Sequence, residues 1–204
     1  MIKKALKIEG FSFIMEEIKT SKGIMLFHFI GPGGAGKTTI AKLLSARMGF
    51  ESHDLDEYFI QIAGDISNYI ECYGYEAYAL RNINLYKKLK KTFKPKQHII
   101  LACSSGFMTY PEAITPEYAK LLQEIENDPF TFLLIPSLNL DECIEILVAR
   151  QLTRSYLNIS VEKEEIKVRK RFETYLNLNC QKVFTNQAVD AIVDEIQGLI
   201  VNYR

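Results

Sequence analysis

The residues best suited to chemistry in this 204-residue chain form one glycine-rich segment, Gly31-Pro32-Gly33-Gly34-Ala35-Gly36-Lys37-Thr38-Thr39. The segment fits the pattern G-x-x-x-x-G-K-[ST], and it lies between an apolar run and a helix-forming run. Glycines permit positive φ and let successive backbone N–H groups surround an anion without Cβ atoms in the way. A helix N-terminus, the Lys37 ammonium and the Thr38 hydroxyl would add groups that favour phosphates and Mg²⁺. We therefore predict a site for a purine nucleoside triphosphate, taken as ATP, with contacts from Gly31, Gly33, Gly34, Ala35, Gly36, Lys37, Thr38 and Thr39.

Two carboxylates, Asp54 and Asp56, follow where a second strand is expected to end. In an open α/β sheet, the carboxyl ends of the strands border the ligand crevice. Side chains at positions i and i+2 of an extended chain point the same way. Asp54 could therefore hold Mg²⁺ together with Thr38, while Asp56 orients or deprotonates an acceptor hydroxyl. The alternative interpretation is a turn or a helix N-cap, with Asp56 capping residues 57–62.

Short apolar strands alternating with longer helices must position these groups. The candidate buried strands are Ile24–Ile30, His98–Cys103 and Phe130–Ile135, each nearly continuous in apolar character. Helical spacing separates them, which predicts a three-layer α/β fold with helices on both faces of a parallel sheet. The predicted helices are Thr38–Met48, Tyr75–Phe93, Pro116–Glu126, Leu140–Leu152, Glu162–Leu176 and Gln187–Asn202. We expect one domain over residues 23–204 and assign no function to residues 1–22.

The composition limits the possible partners and location. The chain has 25 Lys+Arg and 25 Asp+Glu, so it lacks the basic excess of a nonspecific nucleic-acid binder. Its apolar runs are too short to span a bilayer, so we expect no membrane partner. The four cysteines lack the spacing of a zinc site and fit free thiols in a reducing compartment. We therefore expect a cytoplasmic protein whose partner is a small molecule.

From about Ile24 to the C-terminus, the arrangement resembles the shikimate kinase family of small P-loop kinases. The segment Asp54-Leu55-Asp56 matches the Asp-x-Asp of that family. The resemblance implies a P-loop NTPase fold with a five-stranded parallel sheet, Mg²⁺ on Asp54 and a substrate hydroxyl on Asp56. It also implies transfer of the γ-phosphoryl group of ATP to a small hydroxy acid, with shikimate as the expected acceptor. We expect the protein to be a monomer.

Three further segments of the resemblance concern the acceptor. The family's Gly-Glu-x-x-Phe-Arg stretch corresponds to residues 74–79, and Arg81 lies two residues later, which is about 200° of helix rotation. Arg81 is thus an expected carboxylate contact only if the helix starts differently. The family's triple glycine corresponds to Ser104-Ser105-Gly106, so the resemblance implies acceptor contacts from Ser105 and Gly106 in a pocket with added polar bulk. Arg171 matches the arginine of the family's Arg-x-Pro-Leu-Tyr, which binds the substrate carboxylate; a plain basic helix face is the alternative.

The last segment resembles the family's lid, expected over residues 150–162. Arg150 would pack beside the adenine, and Arg154 would contact the transferring phosphoryl group, where a guanidinium offsets developing negative charge. Solvated arginines at a helix end are the alternative. The departures from the family's motifs leave two other functions open. One is a kinase for another acceptor, such as a sugar acid or a cyclic polyol, and the other is a degenerate kinase that acts as a nucleotide-binding regulatory module.

Overall fold

The five strands lie in a parallel sheet in the computed structural model, which describes residues 23–153 and 160–202. The strands are β1 (Met25–Ile30), β2 (Glu51–Asp54), β3 (His98–Ala102), β4 (Thr131–Ile135) and β5 (Gln181–Phe184). Their order across the sheet is β2-β3-β1-β4-β5, and each neighbouring pair is parallel. The predicted parallel sheet is therefore confirmed.

The three central strands carry much of the core. Every residue of β3 and β4 is buried, as is every residue of β1 after Met25. The edge strands β2 and β5 have only four residues each and are partly exposed. This difference follows from position, because a central strand of a parallel sheet is covered on both faces and an edge strand is not.

Within residues 23–153 and 160–202, seven α-helices surround the sheet and complete the three layers. They are α1 (Lys37–Met48), α2 (Leu55–Ala63), α3 (Ile66–Lys90), α4 (Tyr118–Glu126), α5 (Leu140–Leu152), α6 (Val161–Leu176) and α7 (Val189–Asn202). In the described part of the chain, no helix is both long and apolar enough to cross a membrane. The helix α1 is joined to α7 by ion pairs from Arg47 to Asp190 and, at 2.6 Å, to Asp194.

The helix α3 differs from its prediction because it begins nine residues earlier, and it is interrupted at Gly74. Gly74 has φ 84° and ψ 162°, a backbone conformation that is outside the helical region and that side chains disfavour. A new helical segment therefore starts at Tyr75, the residue at which the sequence predicted the start. The restart sets the rotation of the following turns, in which Tyr78, Ala79 and Asn82 are buried.

Because the strands are parallel, the segments that follow them meet at one edge of the sheet. The glycine-rich loop follows β1, Asp56 comes two residues after β2, and Ser104 comes two residues after β3. Thr185 directly follows β5, and its N–H donates to the carbonyl of Ile135 at the end of β4. The topology thus gathers the candidate functional residues at the carboxyl ends of the strands.

His28 in β1 gives the fold a pH dependence. Its Nε2 lies 2.9 Å from the hydroxyl of Tyr86, and burial, with Lys90 nearby, lowers the pKa of His28 from 6.5 to about 3. Below pH 6.5, His28 binds a proton in the unfolded chain but stays neutral in the native state. The free energy of unfolding should therefore fall as the pH drops toward 3. The expected slope is up to about 1.4 kcal/mol per pH unit.

Urea unfolding at pH 7 and pH 5 measures this effect. His28→Gln should reduce the difference between the two pH values, because glutamine does not titrate. His53→Gln, which removes a histidine that is only partly buried, is the control and should keep most of the difference. Equal pH dependence in the wild type and in His28→Gln would contradict the prediction.

Candidate active site

The glycine-rich loop between β1 and α1 has the backbone that an anion cradle requires. Gly31, Gly34 and Gly36 have φ values of 134°, 80° and 88°. A Cβ atom on Gly31 would lie 2.2 Å from the carbonyl oxygen of Leu134, so glycine is required there by space as well as by conformation. Gly36 is the N-cap of α1 and leaves the helix without a side-chain cap. The first N–H groups of α1 are therefore oriented toward the loop, where they can bind an anion.

Lys37, Thr38 and Thr39 form the first turn of α1. The ammonium of Lys37 donates to the carbonyl oxygens of Gly31 and Pro32, both at 2.9 Å, and so lies over the loop. The helix α1 is described in full, and its first turn contains no acidic residue. A cation and the positive end of a helix dipole thus meet at one point, which favours bound phosphate.

Asp54 links the end of β2 to α1 and α2. Its Oδ2 accepts from the hydroxyl of Thr38 at 2.5 Å, and its Oδ1 accepts from the backbone N–H groups of Asp56 and Glu57 at 2.8 and 3.1 Å. Asp54 is therefore the N-cap of α2. The alternative interpretation from the sequence gave this role to Asp56. It was wrong by two residues because the helix begins at Leu55.

The hydroxyl of Thr38 and the carboxylate of Asp54 fit the chemistry of Mg²⁺. Both groups supply oxygen ligands, and they already lie within hydrogen-bond distance. Residues 23–153 and 160–202 hold no group of three His, Cys, Asp or Glu side chains that could bind a metal alone. Mg²⁺ is usually held by one or two protein oxygens together with phosphates and water. When bound here, the ion would neutralise negative charge on the phosphates.

Asp56 faces a different partner from Asp54. Its Oδ1 accepts from the hydroxyl of Ser104 at 2.5 Å, and the amide nitrogen of Asn82 donates to the same hydroxyl at 2.7 Å. The expectation that the two carboxylates point the same way on an extended chain is therefore wrong. The chain becomes helical at Leu55, so Asp54 turns toward α1 and Asp56 toward the loop after β3.

Arg171 extends from α6 to the loop after β3. Its guanidinium donates to the carbonyl oxygen of Ser105 at 3.4 Å and to the hydroxyl of Tyr75 at 2.9 Å. The hydroxyl of Tyr175 also donates to Ser105 O. A Cβ atom on Gly106 would lie 2.6 Å from the Tyr75 hydroxyl and 3.2 Å from Nη2 of Arg171. Ser105, Gly106 and Arg171, which the sequence predicted as acceptor contacts, thus lie together.

The structure does not bring Arg81 to this cluster. Tyr78 and Asn82 share the inner face of α3, whereas Arg81 is exposed to solvent. One residue on a helix is about 100° of rotation, which separates Arg81 from Asn82. The helix restarts at Tyr75, as the sequence predicted, and therefore provides none of the altered rotation that Arg81 needed. Arg81 is accordingly withdrawn as a candidate acceptor contact.

Arg150 lies near the end of α5, beside the phosphate loop. Its guanidinium donates to the carbonyl oxygen of Thr185 at 2.5 Å and to that of Gly34 at 3.5 Å. Partial burial lowers the pKa of Arg150. Contact with an adenine stays a prediction for this residue. Arg154, the expected contact of the transferring phosphoryl group, lies outside the described residues, as do residues 155–159 of the expected lid.

Three residues of this site were not predicted from the sequence. Tyr75 contacts Arg171, Asn82 contacts Ser104, and the side chain of Gln151 is buried against Gly33, where a Cβ atom would lie 2.5 Å from Nε2 of Gln151. A polar Asn82 on an otherwise apolar helix face was the available signal, because buried amides are normally hydrogen-bonded. Tyr75 and Gln151 gave no comparable signal.

Comparison with known proteins defines the class and then the family. The structure resembles a shikimate kinase from Acinetobacter baumannii in complex with shikimate, with a TM-score of 0.63, 21% identity, and coverage of 92% of this chain and 97% of that one. It also resembles a gluconokinase from Sinorhizobium meliloti 1021, with a TM-score of 0.55, 13% identity, and coverage of 88% and 93%. At these identities, the likeness establishes the fold, which is that of the P-loop kinases.

The sequence identifies the family to which the chain belongs. A model of the shikimate kinase family matches residues 33–200, so the chain belongs to the shikimate kinase family. A shikimate kinase from Legionella pneumophila (strain Corby) is 36% identical over 84 residues, which cover 41% of this chain and 46% of that protein. The chain thus spans less than half the length of the curated relatives it matches.

Proposed function

We propose that this protein transfers the γ-phosphoryl group of ATP, with Mg²⁺, to a hydroxyl group of a small carboxylate-bearing acceptor. The observation that supports it is the meeting of Lys37, Thr38 and Asp54 with Asp56 and Arg171 at one edge of the sheet. The first group suits a triphosphate and its metal, and the second suits a hydroxyl and a carboxylate. Shikimate is the first candidate acceptor, because the family and the structural neighbour with bound shikimate both favour it.

Each residue has a distinct role in the proposed reaction. The Lys37 ammonium and the N-terminus of α1 offset the negative charge of the phosphates. Asp56 orients the acceptor hydroxyl and takes its proton as the new O–P bond forms and the bond from the γ-phosphorus to the leaving oxygen of ADP breaks. Arg171 holds the acceptor carboxylate, and Arg154 is proposed to contact the transferring group. Catalysis then depends mainly on positioning and charge stabilisation.

A second acceptor class has support of its own. Arg81 is exposed to solvent, so of the two arginines expected to hold the acceptor carboxylate, Arg171 is the one that contacts the loop after β3. Ser104 and Ser105, which belong to that loop, also add polar side chains where the family has glycines. Both features favour an acceptor that is not shikimate, such as a sugar acid or a cyclic polyol.

A coupled assay of ADP release over a panel of hydroxy acids and polyols tests these proposals. Turnover with shikimate supports the first acceptor, and turnover with another compound supports the second. Binding of ATP without turnover on any compound would contradict the proposed kinase and favour a regulatory module. The monomeric state and the cytoplasmic location stay predictions.

Arg171→Ala should raise the KM for a carboxylate acceptor by at least about tenfold. Hydrogen bonds to charged groups contribute about 1.5–3 kcal/mol, and the present partners of Arg171, Tyr75 and Ser105 O, are neutral oxygens. The KM for ATP should stay the same, because Arg171 contacts the loop after β3 rather than the phosphate loop. Steady-state kinetics with each substrate varied in turn measures both values.

Arg169→Ala is the matched control. Arg169 lies two residues earlier on α6 and is exposed, and its guanidinium pairs with Glu165 and Asp141 at 3.0 and 3.2 Å. Solvent screens these exposed ion pairs, and Arg169 does not contact the loop after β3 in the described structure, so this variant should keep both KM values. An unchanged acceptor KM in Arg171→Ala would remove Arg171 from the acceptor site.

A further inference from the structure

A buried amide lies behind the candidate catalytic carboxylate. The side chain of Asn82, in the second segment of α3, is completely buried. Its Nδ2 donates to the hydroxyls of Ser104 at 2.7 Å, Tyr110 at 2.8 Å and Tyr78 at 3.3 Å. Burial of an amide is unfavourable unless it is hydrogen-bonded. The Asp56 carboxylate can only accept, so the Ser104 hydroxyl donates to it and its oxygen faces an N–H group of Asn82, while Oδ1 of Asn82 has no hydrogen-bond partner among the described residues.

These two contacts determine where the proton of Ser104 points. A serine hydroxyl has one proton to donate, and its oxygen already accepts from Asn82. The proton of Ser104, which is almost fully buried, is directed to Oδ1 of Asp56 at 2.5 Å. Asn82, Ser104 and Asp56 therefore form a directed chain that crosses from α3 through the loop after β3 to α2.

The other contacts of this loop hold the chain in place. The hydroxyl of Tyr118 accepts from the backbone N–H of Tyr110 at 3.1 Å and donates to the carbonyl oxygen of Phe107 at 2.5 Å. Burial, together with the charge of Asp56, raises the pKa of Tyr78, so this phenol stays neutral. Neutral, hydrogen-bonded side chains thus line one side of the Asp56 carboxylate.

We propose that Asn82 and Ser104 are positioning residues that hold Asp56 in the orientation needed to receive the proton of the acceptor hydroxyl. A hydrogen bond at Oδ1 fixes the plane of the carboxylate and with it the direction of Oδ2. Charge-assisted hydrogen bonds are short and directional, which suits this task. The inference rests on the proposed kinase function, but the geometry of the chain is independent of the identity of the acceptor.

Ser104→Ala tests the chain at its middle member. We expect kcat with the acceptor to fall at least about tenfold while the KM for ATP changes less than about twofold, because the phosphate loop keeps its contacts. Ser45→Ala is the matched control, since Ser45 on α1 has a buried hydroxyl with no hydrogen-bond partner among the described residues. It should keep the wild-type kcat. An unchanged kcat in Ser104→Ala would overturn the proposal.

A double-mutant cycle separates positioning from a purely structural role. If Asn82 acts through Ser104, the double variant Asn82→Ala with Ser104→Ala should lose little more activity than Ser104→Ala alone. If the loss of activity in the double variant equals the product of the two single losses, Asn82 does not act through Ser104, and the proposal is overturned. Thermal unfolding curves check that each variant is folded. If Asn82→Ala does not fold, the kcat of Ser104→Ala and the orientation of the Asp56 carboxylate in crystal structures still decide the proposal.

Crystal structures of the wild type and of Ser104→Ala make the test independent of turnover. We expect the Asp56 carboxylate to rotate when the hydroxyl of Ser104 is removed. An unchanged Asp56 rotamer would overturn the positioning role. If the wild type phosphorylates no acceptor in the panel, the proposed function fails, and the Asp56 rotamer still shows whether Asn82 and Ser104 hold the carboxylate.

Discussion

Lys37→Ala should lower kcat by about a hundredfold to a thousandfold, the usual loss when one donor that stabilises charge on the reacting group is removed. The Lys37 ammonium lies 2.9 Å from the carbonyl oxygens of Gly31 and Pro32, within the loop that would surround the phosphates. Alanine leaves the backbone N–H groups of the loop in place but removes the cation. The measurement is ADP release at saturating ATP and acceptor.

A control for charge and folding accompanies this variant. Lys120→Ala removes a lysine on α4 whose side chain is 80% exposed, and it should leave kcat unchanged. Thermal unfolding of Lys37→Ala should show a folded protein, because the variant leaves the backbone of the loop and the first turn of α1 in place and truncates a side chain that is only partly buried. Near-normal turnover by folded Lys37→Ala would mean that the reaction does not take place at the phosphate loop.

The phosphate loop could be predicted because its requirements are local. Positive φ at Gly31, Gly34 and Gly36 is a property of single residues, and the pattern of glycines shows it directly. The central strands could also be predicted, since burial on both faces leaves a continuous apolar run. The edge strand β2 reads Glu-Ser-His-Asp and has no such run, so its position had to be inferred from the acidic pair that begins at its last residue, Asp54.

The acceptor side of the site was harder to predict because tertiary contacts determine it. Asn82 and Ser104 are 22 residues apart, and Arg171 and Ser105 are 66 residues apart. Sequence spacing indicates neither contact, and Arg171 could be proposed only through the family resemblance. The sequence predicted the helix start at Tyr75, but it did not show which face of α3 the core buries, because that depends on contacts outside the helix.

Asp56→Asn should lower kcat by about a hundredfold to ten-thousandfold, the range for loss of a general base. Asparagine keeps the size of the side chain, and its oxygen can still accept from Ser104 as Oδ1 does now at 2.5 Å. The variant therefore removes the negative charge and the basicity while it preserves the contact. The affinity for ATP should stay the same. Pre-steady-state and steady-state ADP release, with ATP binding by calorimetry, measure the two effects.

Glu57→Gln is the matched control for a lost carboxylate on α2. Glu57 is exposed and pairs with Lys42 at 2.7 Å, so its substitution should leave kcat unchanged. A kcat for Asp56→Asn within a few-fold of the wild type would show that Asp56 is not the base and that another group takes the proton.

The combination of Asp56→Asn with Ser104→Ala links this residue to its supports. Ser104 is proposed to act through the Asp56 carboxylate, so its hydroxyl has little left to contribute once that charge is gone. Ser104→Ala should therefore cost at least about tenfold in the wild-type background and close to nothing in the Asp56→Asn background. Equal losses in both backgrounds would mean that Ser104 contributes by a separate route, such as direct contact with the acceptor.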